Sequence, residues 1–187
     1  MKLVFFNEFN LGVVDGQNVV DVSEVVKDIP RVGPGDLMSR LIERFDDYRS
    51  GIETAVSAGN GVPIDSVRLR APLPKPGKIL CMAGNYLENG TLAEPRPING
   101  FLKNRNAVIG DNDTVVLPPA PVTIFHHEAE AGLVIGKKAS KVKAADAYDY
   151  IFGYMNVIDV SARGLGPEGM DVSVSYTHLT LPTSDLV

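Results

Sequence analysis

The spacing of apolar positions changes several times along the chain, and each change marks an element. Residues 3–6, 11–14 and 19–22 are short apolar runs, broken by Asn7-Glu8 and by Asp15-Gly16-Gln17-Asn18. Runs of this length between turn residues predict antiparallel strands, with a hairpin joining the second to the third. From Asp36 the period lengthens. Leu37, Leu41, Phe45, Tyr48, Ile52 and Ala55 recur at intervals of 4, 4, 3, 4 and 3, which predicts one helix with a single apolar stripe, ended by Gly59-Asn60-Gly61. Residues 71–77 then carry Pro72, Pro74 and Pro76, which fix φ and remove backbone donors, so this segment reads as a linker between domains.

Beyond the linker, residues 78–83, 101–103, 115–117 and 123–135 read as strands, 143–152 as a short helix and 154–160 as a strand again. A polar, glycine-punctuated loop over 84–99 is long enough to close over a bound molecule. The fold class is α+β, with a small amino-terminal domain over 1–70 and a second domain from 78 to 173.

The segment around residue 128 carries the candidate chemistry. On a strand, Ile124, His126, Glu128, Glu130, Gly132 and Val134 share one side, while Phe125, His127, Ala129, Ala131, Leu133 and Ile135 share the other. The second set is mostly apolar and is expected to pack into a core. Glu128 and Glu130 then point together, and two like charges so close repel unless a cation lies between them or one takes a proton. Hard oxygen donors favour Mg2+, Mn2+ or Ca2+ over zinc. Asp159 is a third acid, near the end of an otherwise apolar strand where an unpaired charge is costly. By spacing alone, two glutamates at i and i+2 on a strand usually face solvent, His126 and His127 are more often packing or surface residues than ligands, and Asp159 has pairing with Arg163 or capping of a turn as simpler roles.

Composition narrows the classes. In 187 residues, 44% are hydrophobic, enough for a core, and a net charge of -5 argues against a general binder of the phosphate backbone. Nucleic acid and membrane are not expected partners, since no apolar run approaches the roughly 20 residues that span a bilayer. The single cysteine, Cys81, lies in an apolar strand and reads as a buried small residue in a protein of a reducing compartment, the cytoplasm. Gly164-Leu165-Gly166-Pro167-Glu168-Gly169 spells a dinucleotide fingerprint, but Pro167 and the absence of a following helical pattern argue against one.

Gly84-Asn85-Tyr86, Phe101-Leu102-Lys103, the run from His127 to Lys137, Asp149-Tyr150-Ile151-Phe152-Gly153-Tyr154 and Asp159-Val160-Ser161-Ala162-Arg163 occur in the order found in the fumarylacetoacetate hydrolase family, which residues 78–163 resemble. The resemblance implies a partial mixed β-roll catalytic domain, usually dimeric, acting on small oxo acids and β-diketo acids. It places Glu128, Glu130 and Asp159 on the family's three metal-binding carboxylates. A divalent cation there acts as a Lewis acid and stabilises an enolate. Lys103 matches the lysine of the family's Phe-Leu-Lys segment, suited to neutralising a substrate carboxylate or developing oxyanion. Asn85 and Tyr86 are substrate-positioning candidates.

One departure matters. Many members carry a histidine and a glutamate as a general-base pair where this chain has Asn89 and Leu92, neither of which takes a proton at neutral pH. Glu88 and Glu94 on the same loop, and His126 on the carboxylate face, are the candidate replacements. The activity expected is carbon–carbon bond hydrolysis or a related lyase, isomerase or hydratase reaction. The alternatives are a non-catalytic fragment and a β-rich module holding a structural cation. Residues 174–187 resemble a translated sequencing adaptor, so the natural carboxyl-terminal portion is expected to be missing.

Overall fold

The computed structural model describes residues 1–85, 90, 93, 94, 96–117, 124–163 and 174–175. The amino-terminal runs pair as antiparallel strands: β1 (Lys2–Phe6), β2 (Asn10–Asp15) and β3 (Asn18–Asp21). Two short strands, β4 (Gly61–Pro63) and β5 (Leu69–Arg70), extend the sheet to the order β4-β3-β2-β1-β5. In the turn between β2 and β3, Asp15 faces Asn18 and Gly16 takes φ +57°, a left-handed conformation that glycine adopts without a Cβ clash. Gly12 has a packing reason: a Cβ there would fall 2.6 Å from Val19 Cγ1.

The expected single helix is two. α1 (Pro34–Glu43) and α2 (Phe45–Ser57) are separated at Arg44, whose φ of -126° and ψ of 25° leave the helical region. The break has its own hydrogen bonds. The Arg44 N–H donates to Leu41 O, the Asp47 N–H donates to Arg44 O, and Arg44 Nε donates to Asp47 Oδ2 at 3.0 Å. Periodicity survives because each helix keeps its own part of the stripe. Leu37, Met38 and Leu41 of α1 and Tyr48 and Ile52 of α2 are buried against Phe5, Leu11 and Val20 of the sheet. Phe45, at the bend, also meets the Phe152 ring edge-on at 5.1 Å, linking this layer to the rest of the chain.

The second half contains three described pieces of sheet. β6 (Ile79–Ala83) and β7 (Asn99–Lys103) form an antiparallel pair. β8 (Ile124–Ile135) and β9 (Ile151–Arg163) form a long antiparallel pair, with β10 (Val174–Ser175) on the far edge of β9. Residues 115–117, expected as a strand, are irregular, and Val116 is 72% exposed. They follow a turn with Asn112 at φ +58° and meet no strand to pair with among the described residues. The short helix expected over 143–152 is a 3-10 helix, Ala144–Tyr150, and Ile151 and Phe152 already belong to β9. Among the described residues no helix is long and apolar enough to cross a membrane.

Two further contacts fasten the halves together. Gly110 approaches the end of β5 so closely that a Cβ would lie 2.7 Å from Ala71 N. Asp113 accepts from the Gly110 N–H at 2.8 Å and from Arg68 Nη2 at 2.7 Å. These hydrogen bonds, the backbone donor first, hold the Asp113 carboxyl below its ordinary value of 3.8. The folded value is depressed, so the stabilisation is present above about pH 4 and is lost as pH falls through the folded value. Asp113→Asn is expected to cost about 1 kcal/mol at pH 7, discounted for exposure, and in urea titrations the difference should shrink as pH falls below the ordinary carboxyl value of 3.8. Leu41→Ala, in the fully buried core, is expected to cost about 2–5 kcal/mol in the same titration at every pH.

Candidate metal and substrate site

The register of β8 against β9 brings the candidate acids together. Glu128 lies directly opposite Asp159, and Glu130, two residues along, faces Val157 on the same side of the sheet. All three line one cavity of about 1490 Å3, whose other walls are β6, part of β7, the segment before β6 and the end of α1. Small-molecule sites are typically about 300–1,000 Å3. A small acid therefore needs more wall than the described residues supply.

Alternation along β8 is as expected, but the apolar face, expected in a core, is the more exposed one. The carboxylate face is half-buried over the cavity, while His127, Ala129 and Ala131 are exposed and Leu133 and Ile135 are each 55% exposed. The β6–β7 pair lies on the carboxylate side, where Cys81, Phe101, Glu128, Glu130 and Asp159 line the same cavity.

Lys103 sits at the end of β7 with its side chain wholly buried, and its ammonium forms an ion pair with Asp159 Oδ1, itself buried. Lys103 Nζ is also 3.4 Å from Val160 O and 5.8 Å from the centre of the Phe101 ring. Asp159 Oδ1 has no hydrogen bond of good geometry beyond this ion pair. Burial lowers the Lys103 pKa, while Cys81, Glu128 and Glu130 act in the opposite direction. Burial likewise raises the Cys81 thiol, with Lys103 opposing it.

The other candidates divide. Asn85 lies at the cavity edge and is exposed. Glu94 is exposed and absent from the cavity wall; His126 is likewise absent from it, at the outer end of the carboxylate face with its Nδ1 3.5 Å from Glu128 Oε1. Tyr86 and Glu88, with Asn89 and Leu92, lie outside the described residues. Cys81, read from the sequence as a buried small residue, is half-buried and lines the cavity. Ser161 is a cavity-lining residue that the sequence reading missed, 3% exposed and two positions from Asp159 on its face. Carrying the period of two beyond Asp159 finds it.

Three carboxylates on one wall are the donor set that a hard divalent cation takes. Asp159 is buried and its Oδ1 is held by the Lys103 ammonium, so an ion would draw on a carboxylate that already carries a cation. Among the described residues, however, no three His, Cys, Asp or Glu side chains are gathered closely enough to hold a metal ion. The residues fit the ion in kind and in face. Their side chains have still to converge.

Comparison with known proteins gives a consistent result. The family model described as fumarylacetoacetate (FAA) hydrolase C-terminal matches residues 78–179, a match that runs past Val174 into the segment resembling adaptor. The chain is 33% identical over 182 residues to the maleylpyruvate hydrolase of Aquipseudomonas alcaligenes, covering 88% of this chain and 62% of that protein. It is 29% identical over 177 residues to an oxaloacetate tautomerase of Bacillus subtilis, covering 86% and 59%. Maleylpyruvate hydrolase from Sphingobium sp. SYK-6, solved in complex with manganese(II) ion and pyruvate, superposes with a TM-score of 0.77 at 35% identity, covering 88% of this chain and 60% of that one. The chain thus spans less than two thirds of each of these proteins. The ordered motifs, the α+β architecture and the family match over 78–179 agree: the chain belongs to the fumarylacetoacetate hydrolase family.

Proposed function

We propose that this chain carries the metal wall and part of the substrate site of a divalent-metal-dependent enzyme acting on small oxo acids. The observation that carries the reading is the cross-strand pairing of Glu128 with Asp159, with Glu130 on the same face and a buried Lys103 beside them. On this reading Glu128, Glu130 and Asp159 hold Mg2+ or Mn2+, with Ca2+ as a further candidate. A bound ion supplies Lewis acidity that withdraws charge from neighbouring carboxylate and keto oxygens.

The chain's own groups supply the rest. Lys103 offers a buried positive charge, suited to a substrate carboxylate or to the oxyanion that develops as a bond at carbon breaks. Asn85, at the edge of the cavity, and Tyr86 orient the substrate. The apolar side chains of β6 and β9 that line the cavity limit water around the reacting atoms. Proton movement falls to Glu94, Glu88 or His126, because Asn89 and Leu92 cannot take a proton. Hydrolysis of a carbon–carbon bond requires that base to activate water, whereas keto–enol tautomerisation only moves a proton between carbon and oxygen. The names of the relatives support both reactions. Assembly as a homodimer, located in the cytoplasm, completes the reading.

Isothermal titration with Mn2+ is expected to show one site per chain, weakened at least tenfold by Glu130→Gln. Assays on acylpyruvates and on oxaloacetate should then show turnover that disappears in chelator. Absence of both binding and turnover would defeat the proposal. A rise in melting temperature with Ca2+, lost in Glu130→Gln and without turnover, would favour a structural cation site instead.

A further inference from the structure

We propose that Lys103 is a built-in competitor for the metal: its ammonium neutralises Asp159 when no ion is bound, and a divalent cation must displace it. The inference rests on the metal-site reading above and deepens it. Lys103 Nζ belongs to β7 and Asp159 to β9, strands of different sheets, so their ion pair is a tertiary contact made inside the protein. Both side chains are out of water, at 0% and 6% exposure. A buried ammonium or carboxylate without a partner is strongly unfavourable, so each requires the other.

Asp159 is also the acid that faces Glu128 across the strand pair, so the ammonium sits on the same carboxylate wall that the proposed ion would occupy. Two cations cannot share that carboxylate cheaply, because like charges repel strongly where water is excluded. Occupancy by the metal therefore moves Lys103 off Asp159, and the ammonium, still close to Val160 O and the Phe101 ring, becomes available to an anionic substrate in the cavity. Metal loading and substrate-carboxylate binding are thereby coupled, with the ion entering first. Lys103 acts on the ion as a positioning residue, holding Asp159 in place and setting the affinity of the wall.

The direction of the effect separates this role from a merely structural one. Lys103→Met should bind Mn2+ at least tenfold more tightly than the wild type in isothermal titration, and its melting temperature in chelator should fall. Lys103→Arg, which keeps the charge, should bind no more tightly than wild type. A second measurement needs no variant. Acetylation of Lys103 in the wild-type chain, followed by mass spectrometry against exposed Lys138 as a reference, should be slow in chelator and faster with Mn2+. If wild type binds Mn2+ but Lys103→Met binds it equally or more weakly, or if Lys103 acetylation ignores the ion, the competitor role is overturned and the metal site stands. If neither chain binds Mn2+, the metal site itself fails and this inference goes with it.

Discussion

A buried ammonium paired with a buried carboxylate constrains the second half of this molecule more than any other single contact. Lys103 and Asp159 come from different sheets, and neither tolerates burial alone. Satisfying both requires that the end of β7 lie against β9 at one place. The strand around the pair is well packed: Val160, Ser161 and Ala162 are all buried. Once Asp159 is held, the antiparallel register carries Glu128 to the opposite strand and Glu130 one step along the same face. The acidic wall is thus a consequence of strand register together with one ion pair.

The same strand pair explains why the cavity is large and why apolar side chains remain exposed. A sheet face is buried only when a second layer lies over it. Over the carboxylate face the layer is the β6–β7 pair, which leaves about 1490 Å3 between them. Over the opposite face, Leu133, Ile135 and Tyr154 each remain more than half exposed. The amino-terminal layer shows the contrast: α1 and α2 cover their sheet, and Phe5, Leu41 and Ile52 are fully buried.

What the sequence made legible is what local chemistry determines. The first three strands follow from turn residues between short apolar runs, and the two faces of β8 follow from a period of two that needs no partner to be seen. The helix break does not follow. Arg44 interrupts a stripe that stays in register on both sides of it, so periodicity alone reads straight through the bend. Residues 115–117 carry strand-like composition but find no strand to pair with among the described residues, and strand formation is decided by pairing. Which face of β8 is covered was read wrongly for a related reason: apolarity marks a face that prefers burial, whereas coverage depends on the layers present. The Lys103–Asp159 pair joins residues 56 positions apart in the chain, and nothing local announces it.

Under the proposed function, the choice of reaction lies away from the acidic wall. The wall and Lys103 serve any reaction that passes through an enolate, whether a bond to carbon is hydrolysed or a proton is moved. Hydrolysis additionally needs a base that reaches a water molecule over the wall. Glu94 is exposed and off the cavity wall, and His126 lies beyond the wall with Glu128 as its partner. For Glu94 to act, it must be carried over the cavity; for His126 to act, its approach is along β8 itself. These routes differ physically, because the first couples chemistry to loop closure and the second does not. A reaction limited by loop closure would respond to solvent viscosity, whereas one served from the rigid strand would not, so the base and the reaction type are open to the same kinetic measurement.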